Sequence, residues 1–296
     1  MEKREKRTYS LKFLRKWFFI LPTIIFFIGM VVFPMIWSLS LSFYNWKAAT
    51  GGAKIFIGLR NFYTIFTKDL RFWGDLRFTL FYVGMAVFIE LLLGLGLASL
   101  LSKKIPFRNF FRVIYLLPMT APPIAVAFLW RMFLQPDVGI INQFLQRINL
   151  PSVKWTTEVS IAPWALVMVD VWEWTPFMFL ALLAAFQSLP QEVYDAAAVD
   201  GASSLQAFVY VTVPMVLPII VTLVLLRAID AFKLFELVFG ITGGGPGGST
   251  ESLSYYIYTT GLSYFDIGYS CALSWVFLII VLFIAIFVLR LLRREV

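Results

Sequence analysis

The chain has 296 residues, of which 60% are hydrophobic and only 14% charged, too few polar side chains to cover a soluble protein of this length. It contains one cysteine and no histidine, which excludes an intramolecular disulfide and any histidine-based metal, nucleophile or proton-relay chemistry. Several apolar runs exceed the roughly 20 residues that cross a hydrocarbon core of about 30 Å. They lack the alternation of barrel strands, so the sequence predicts an all-α integral membrane protein.

The N-terminal segment 1–16 carries a dense cluster of lysine and arginine before the first apolar run. Positive charge is retained on the cytoplasmic side of a membrane, so this segment predicts a cytoplasmic N-terminus. The apolar run that follows is too long for a secretory signal and has no small-residue cleavage site. We therefore expect it to remain as the first span. The net charge of +8 is attributed to such clusters at span ends and not to nucleic-acid binding.

A membrane domain is predicted over residues 17–291, with six helical spans that each cross the hydrocarbon core with some tilt. The predicted spans are 17–41, 78–101, 112–133, 161–185, 215–239 and 268–291. With six spans, the basic loop after the second span and the tail 292–296 fall on the same side as the N-terminus. The basic residues of the connection 42–77 are an exception to this orientation rule.

Charged residues lie near the middle of three of these spans, the second, the fourth and the fifth. Each charge at the bilayer centre costs about 2.5 to 3.5 kcal/mol, so they should face the interior of the bundle. On the fourth and fifth spans, the charged residues share helical faces with aromatic and small residues at spacings of three and four. The residues predicted to frame a polar cavity are Glu90, Asp170, Glu173, Trp174, Phe177, Arg227, Asp230, Ala231 and Leu234.

A polar, acidic segment at 189–214 separates the fourth and fifth spans. The run Ala196–Ala198 favours a helix that Gly201 ends, and Ser203 can cap a second helix leading to Pro214. The segment has no lysine or arginine, although the topology places it in the cytoplasm. Such an acidic elbow suits a cleft in a basic partner, with a solvated helical hairpin as the alternative.

The elbow resembles the EAA loop of binding-protein-dependent ABC importer permeases. The pattern Asp195-Ala-Ala-x-x-Asp200-Gly201-Ala is followed by Pro214, with aspartate at 195 where the family has glutamate. In that family the loop forms a coupling helix that docks onto the ATP-hydrolysing subunit. The residues to which we assign this coupling role are Glu192, Asp195, Ala196, Ala197, Asp200, Gly201 and Pro214.

Three further motifs resemble the sugar-importing, maltose-transporter-like branch of the family. They are Gly58-Leu-x-Asn61-Phe62, Pro136-Asp-x-Gly139-x-x-Asn142 and Thr242-Gly-Gly-Gly-Pro246. The resemblance implies a six-transmembrane-helix permease bundle in a prokaryotic cell membrane, forming half of the path for a sugar or sugar-like solute. It also implies a second homologous permease subunit, two ATPase subunits and an external solute-binding protein as partners.

The resemblance places the substrate path on the helices that flank the elbow. There we expect Trp174 and Phe177 to stack on a sugar ring while the charged groups bind hydroxyls. A purely structural ion pair between Glu173 and Arg227 is the alternative interpretation.

The glycine-rich segment 243–250 lacks the lysine of a phosphate-binding P-loop, and no P-loop occurs elsewhere in the sequence. We therefore expect no enzymatic activity, no metal and no cofactor in this chain, with ATP and magnesium bound by the partner ATPase. A secondary, ion-coupled transporter that uses the intramembrane carboxylates is the alternative. Six spans without a visible inverted repeat, together with the docking elbow, favour the importer.

Overall fold

The computed structural model describes residues 18–102 and 108–292. The predicted basic N-terminus at 1–16, part of the basic loop after the second span and most of the tail 292–296 lie outside these residues. The chain divides into two compact units. Unit 1 comprises Met1–Lys68 and Ile257–Val276, and unit 2 comprises Asp69–Tyr256 and Phe277–Val296.

The helices are numbered here in chain order, and their bounds are α1 (Phe18–Leu41), α2 (Arg60–Thr67), α3 (Leu70–Ser102), α4 (Arg108–Leu116), α5 (Pro123–Phe133), α6 (Ile140–Arg147), α7 (Ala162–Gln187), α8 (Gln191–Val199), α9 (Ser204–Ala231), α10 (Leu253–Tyr258) and α11 (Ile267–Leu292). Among the described residues, α1, α3, α7, α9 and α11 are long and apolar enough to cross a membrane. Two short strands, β1 (Tyr44–Asn45) and β2 (Ile55–Phe56), pair antiparallel.

Unit 1 contains α1, the β1–β2 hairpin, α2 and the beginning of α11. The side chain of Asn61 is buried and donates hydrogen bonds to the carbonyl oxygens of Ser42, at 2.8 Å, and Tyr44, at 3.1 Å. Gly58 turns the chain into α2 with a φ of +58°, a conformation that favours glycine. The first sugar-branch motif therefore holds the hairpin against α2.

Unit 2 is built on α3 and α7, which pack along one another. Gly94 permits their close approach, because a Cβ at this position would lie 2.8 Å from the Cβ of Met178. The fully buried Tyr82 and Phe179 belong to the same apolar core. Dense packing of this kind fixes the relative position of polar groups that the two helices carry.

Predicted and observed spans agree within two residues at both ends for α1, α7 and α11. Helix α3 begins eight residues before the predicted span 78–101. Asp69 caps it by accepting a hydrogen bond from the backbone N–H of Phe72 at 3.0 Å. Arg71, in the first turn of α3, forms an ion pair with Glu251. This ion pair stabilises the charged residues by which the helix extends beyond the predicted span.

The predicted third span 112–133 is not one continuous helix. It divides into α4, a 3₁₀ turn at Pro118–Thr120 and α5. Pro122 is extended, with φ −61° and ψ 132°, because the residue before a proline is disfavoured in the helical region and Pro123 follows it. Pro123 then occupies the first position of α5, where its missing N–H leaves no hydrogen bond unmade.

The fifth span also differs from its prediction of 215–239, because α9 runs from Ser204 to Ala231. The helix ends at Ala231, and two serine hydroxyls donate hydrogen bonds to backbone carbonyls just beyond its end. Ser254 donates to the carbonyl of Phe232 at 3.2 Å, and Ser252 donates to that of Leu234. Leu234 therefore lies beyond the helix on whose face it was predicted.

Candidate functional site

Two buried carboxylates, on α3 and α7 of unit 2, meet around the buried Arg227 of α9. Its Nε lies 2.9 Å from Oε2 of Glu90 on α3, and its Nη2 donates to Oε1 of the same carboxylate at 3.0 Å. Nη2 also pairs with Oδ2 of Asp170 on α7. The side chains are only 2%, 0% and 6% exposed for Arg227, Glu90 and Asp170. Such charges are tolerated only when paired, so the cluster ties α3, α7 and α9 together.

An aromatic ring completes the surroundings of the guanidinium. The Cζ atom of Arg227 lies 5.2 Å from the ring centroid of Trp174, within the range of a cation–π interaction. Trp174 follows Asp170 by four residues on α7, so one helical face carries both contacts.

A cavity of about 270 Å³ adjoins this cluster. Its lining residues are Tyr82, Pro123, Asp170, Glu173, Trp174, Arg227, Asp230, Ala231, Lys233, Leu234, Glu236 and Leu237. The structure thus brings together most of the residues that the sequence placed on the faces of the fourth and fifth spans. Glu90 lies behind Arg227 and Phe177 packs against the apolar core, and neither lines the cavity.

Glu173 is 1% exposed and lines the cavity. The predicted alternative of an ion pair between Glu173 and Arg227 is wrong: among the described residues, Arg227 pairs with Glu90, Asp170 and, at 3.9 Å, Asp230. The Oε2 atom of Glu173 has no hydrogen-bond partner within residues 18–102 and 108–292. A buried carboxylate oxygen of this kind can accept a hydrogen bond from a bound molecule.

Four polar or proline residues that line the cavity were not among the predicted ones: Tyr82, Pro123, Lys233 and Glu236. Tyr82 lies within the apolar run of α3, and a buried tyrosine hydroxyl usually has a hydrogen-bond partner. A tyrosine in an apolar span could therefore have indicated that this position faces a polar cavity. Pro123, Lys233 and Glu236 reach the cavity because the third and fifth spans are interrupted next to them. The break in the third span follows from the local sequence Pro122–Pro123, whereas the end of α9 depends on tertiary contacts that periodicity does not reveal.

The segment that joins α7 to α9 forms the predicted helix–glycine–helix elbow. Helix α8 ends before Gly201, whose φ is +81°. Ser203 caps the next helix through a capping box with Gln206, as its N-cap position predicts. The hydroxyl of Tyr194 lies 3.0 Å from that of Thr212, which fixes α8 against the beginning of α9. The predicted local structure of the elbow is confirmed.

Pro214 lies within α9, two residues after a π-helical turn at Phe208–Thr212. Proline cannot donate to the carbonyl four residues earlier, and the widened turn accommodates this missing hydrogen bond. The motif proline therefore has a geometric role at the point where the elbow continues into the long helix.

The elbow exposes both acidic and apolar side chains. Glu192, Asp195 and Asp200 are exposed, and Asp195 accepts a hydrogen bond from Gln191 at 3.2 Å. An apolar surface, which the sequence did not predict, lies among them. Its members and exposed fractions are Val199 88%, Leu205 71% and Tyr210 76%. Large apolar groups exposed in this way mark a surface suited to a protein partner.

The second sugar-branch motif has a structural explanation. Asn142 is fully buried and donates to the carbonyls of Pro136, at 2.8 Å, and Val153, at 2.9 Å. Its oxygen accepts from the indole N–H of Trp155 at 2.9 Å. A Cβ on Gly139 would lie 2.4 Å from two backbone oxygens, so only glycine fits there. The motif fixes the connection between α5 and α7.

The glycine-rich motif is also held by hydrogen bonds. The hydroxyl of Thr250 lies 2.6 Å from the carbonyl of Gly245 and 2.8 Å from the hydroxyl of Thr242. Glu251 follows directly and pairs with Arg71, whose guanidinium lies 4.3 Å from the ring centroid of Tyr256. The loop is thereby tied to the beginning of α3.

Comparison with known proteins extends this picture. Residues 90–294 match the model of the binding-protein-dependent transport system inner membrane component family. The chain is 37% identical to a probable ABC transporter permease protein of Sinorhizobium fredii over 253 residues, 85% of this chain and 81% of that protein. It is 35% identical to the trehalose/maltose transport system permease protein MalF of Thermococcus litoralis over 215 residues, 73% of this chain and 71% of that protein.

A solved structure shares the fold over the whole chain. It is the crystal structure of a bacterial alginate ABC transporter in complex with an alginate pentasaccharide-bound periplasmic protein. The match has a TM-score of 0.82 at 26% identity and covers 100% of this chain and 98% of the matched chain.

Proposed function

The chain belongs to the family of binding-protein-dependent transport system inner membrane components, and we propose that it serves an ATP-driven importer of a sugar or sugar-like solute. As a member of this family it is a multi-pass membrane permease of the ABC importer type. The named cargoes of its relatives, trehalose and maltose in one and alginate in another, support a carbohydrate cargo here.

The observation that carries the proposal is the cavity beside Arg227, because it lies between the two long helices that the elbow joins. Asp170, Glu173 and Trp174 reach it from α7, and Arg227 and Asp230 from α9. Carboxylates and an aromatic ring around a polar cavity suit a polyhydroxylated solute, whose hydroxyls donate hydrogen bonds. We assign this cavity to the substrate path, of which the chain forms half.

The elbow is the proposed contact surface for the ATPase subunit. Residues 189–214 form the coupling loop, which docks onto a separate ATPase subunit through exposed acidic and apolar side chains. The residues assigned to this contact are Glu192, Asp195, Ala196, Ala197, Asp200, Gly201 and Pro214, joined by the exposed Val199 and Leu205. Mixed surfaces of this kind combine charge complementarity with apolar burial.

The proposed topology has six crossings within residues 17–291. Five are α1, α3, α7, α9 and α11, and the interrupted pair α4 and α5 forms the sixth. Lipid-exposed irregular backbone is not tolerated at membrane depth, so we place the break at Pro118–Pro122 against protein. Both termini and the elbow then lie in the cytoplasm.

The proposed complex contains this chain, a second homologous permease subunit, two ATPase subunits and an external solute-binding protein. ATP and magnesium are held by the ATPases, since this sequence has no P-loop. When the ATPases close, the docked elbow moves α7 and α9, whose shared charge cluster transmits the movement to the cavity. Rocking of these helices against the partner permease gives alternating access.

Affinity purification of the tagged, full-length chain, coexpressed with the genes that neighbour its own, tests this proposal. We expect a second permease and a P-loop ATPase to copurify, with ATP hydrolysis that vanadate inhibits. Asp195→Ala should lower the amount of bound ATPase, whereas Glu158→Ala, an exposed acidic residue before α7, should not. Recovery of the chain without any ATPase would contradict the proposal.

A further inference from the structure

We propose that the cavity between α7 and α9 admits uncharged or cationic polyhydroxylated solutes and excludes anionic ones, an inference that rests on the substrate path assigned above. The residues that set this preference are Glu173 and Glu236. The argument depends on how each charge that lines the cavity is paired.

Arg227 offers little positive charge to a ligand. Glu90 binds its Nε and Nη2, and Asp170 binds Nη2 as well, so two buried carboxylates neutralise one guanidinium. Its Cζ lies 5.2 Å from the ring centroid of Trp174. The remaining nitrogen, Nη1, faces Oδ2 of Asp230 at 3.9 Å, so an anionic ligand that approached Arg227 from the cavity would also meet this carboxylate.

Lys233 is the other cation that lines the cavity, and it is also paired. Its Nζ lies 3.1 Å from Oδ1 of Asp230, and the lysine side chain is 72% exposed. A solvent-screened ammonium held by a carboxylate has a weak attraction for a further anion.

Two carboxylates are left without a cationic partner. Glu173 is 1% exposed and its Oε2 has no hydrogen-bond partner in the part of the chain that the structure describes. Glu236 lines the same cavity and is exposed, and it forms no ion pair with any described residue. Carboxylate oxygens are hydrogen-bond acceptors, so both groups suit a hydroxyl or ammonium donor.

The balance of the whole cavity points the same way. Asp170, Glu173, Asp230 and Glu236 line it against Arg227 and Lys233, so acidic side chains exceed basic ones by two. A cleft with low-dielectric walls concentrates such a field and raises the local concentration of cations over anions. The hydroxyls of a neutral sugar can donate hydrogen bonds to these carboxylates, whereas a carboxylate, sulfonate or phosphate group on the solute is repelled by them.

The charge preference can be measured with thiol reagents and without knowledge of the cargo. Cys271→Ser removes the native cysteine, and Trp174→Cys places a neutral reporter in the cavity. The full-length chain is treated in membrane vesicles with trimethylammonium-ethyl, methyl and sulfonatoethyl methanethiosulfonates. Each rate is divided by the rate of the same reagent with 2-mercaptoethanol, which removes intrinsic differences in reactivity.

We expect the order cationic, neutral, anionic, with a normalised cation-to-anion ratio of about tenfold or more. Glu173→Gln and Glu236→Gln should each lower this ratio, and Lys233→Gln should raise it. Equal rates, the reverse order, or no reaction with any of the three reagents would overturn the inference. The assay needs no ATPase, so its outcome is separate from that of the copurification, which tests the importer itself.

Discussion

Arg227 and Glu90 are 137 residues apart in sequence, yet two guanidinium nitrogens of one meet both carboxylate oxygens of the other at 2.9 and 3.0 Å. One of these contacts is a hydrogen bond from Nη2 to Oε1 and the other is an ion pair between Nε and Oε2, so together they restrict how the two side chains approach. They set the register of α9 against α3, and Asp170 adds α7 to the same centre. The geometry of the cavity therefore depends on one buried cation.

Removing that cation should be strongly destabilising. In Arg227→Met, Glu90 and Asp170 remain buried without a partner, which we expect to cost about 3 to 5 kcal/mol. Thermal unfolding of the purified complex measures the loss. The triple variant Arg227→Met, Glu90→Gln, Asp170→Asn should recover much of it, because no buried charge remains. An Arg227→Met protein as stable as the wild type would contradict a structural role for the cluster.

Helix α3 offers a matched pair of glycines. In Gly94→Ala the new Cβ would lie 2.8 Å from the Cβ of Met178, so the packing of α3 on α7 must open, at about 1 to 3 kcal/mol. Gly96→Ala meets nothing within 4 Å and should be neutral or stabilising by up to about 1 kcal/mol, through helix propensity alone. Thermal unfolding distinguishes the two signs. Equal effects would show that α3 and α7 do not approach as described.

Gly201 tests the elbow through its backbone. Its φ of +81° suits glycine and is tolerated by asparagine, but it strains a β-branched residue. A Cβ there has no atom within 4 Å, so any effect comes from conformation and not from a clash. We expect Gly201→Val to lose most of the copurified ATPase and Gly201→Asn to keep most of it. Equal ATPase recovery from both variants would show that the bend is not required for docking.

The sequence predicted those elements whose signals are local. The elbow followed from the alanine run, Gly201 and Ser203, and apolar length alone located α1, α7 and α11 closely. Helical spacing also grouped Asp170, Glu173 and Trp174, which the structure places around one cavity. In each case the determining interactions lie within a few residues of one another.

The features that were not predicted depend on distant residues. Comparable depth in the membrane suggested Glu173 as the partner of Arg227, but the structure pairs Arg227 with Glu90 on α3 and Asp170 on α7. The end of α9 at Ala231 depends on Ser252 and Ser254, which pair with carbonyls just beyond it. Helical periodicity carries no information about such partners.

Photo-crosslinking at the elbow tests the central claim most directly. The variant Val199→p-benzoylphenylalanine places the photo-reactive probe at an 88% exposed position of the elbow. The control is Val159→p-benzoylphenylalanine, which is 59% exposed and lies before the beginning of α7, at the end of that helix away from the elbow. On irradiation of intact membranes, we predict a crosslink from position 199 to a polypeptide that carries a P-loop, and none from position 159. A crosslink to the ATPase from position 159 and not from 199, or no ATPase crosslink from either, would contradict the assignment of the elbow as the coupling surface.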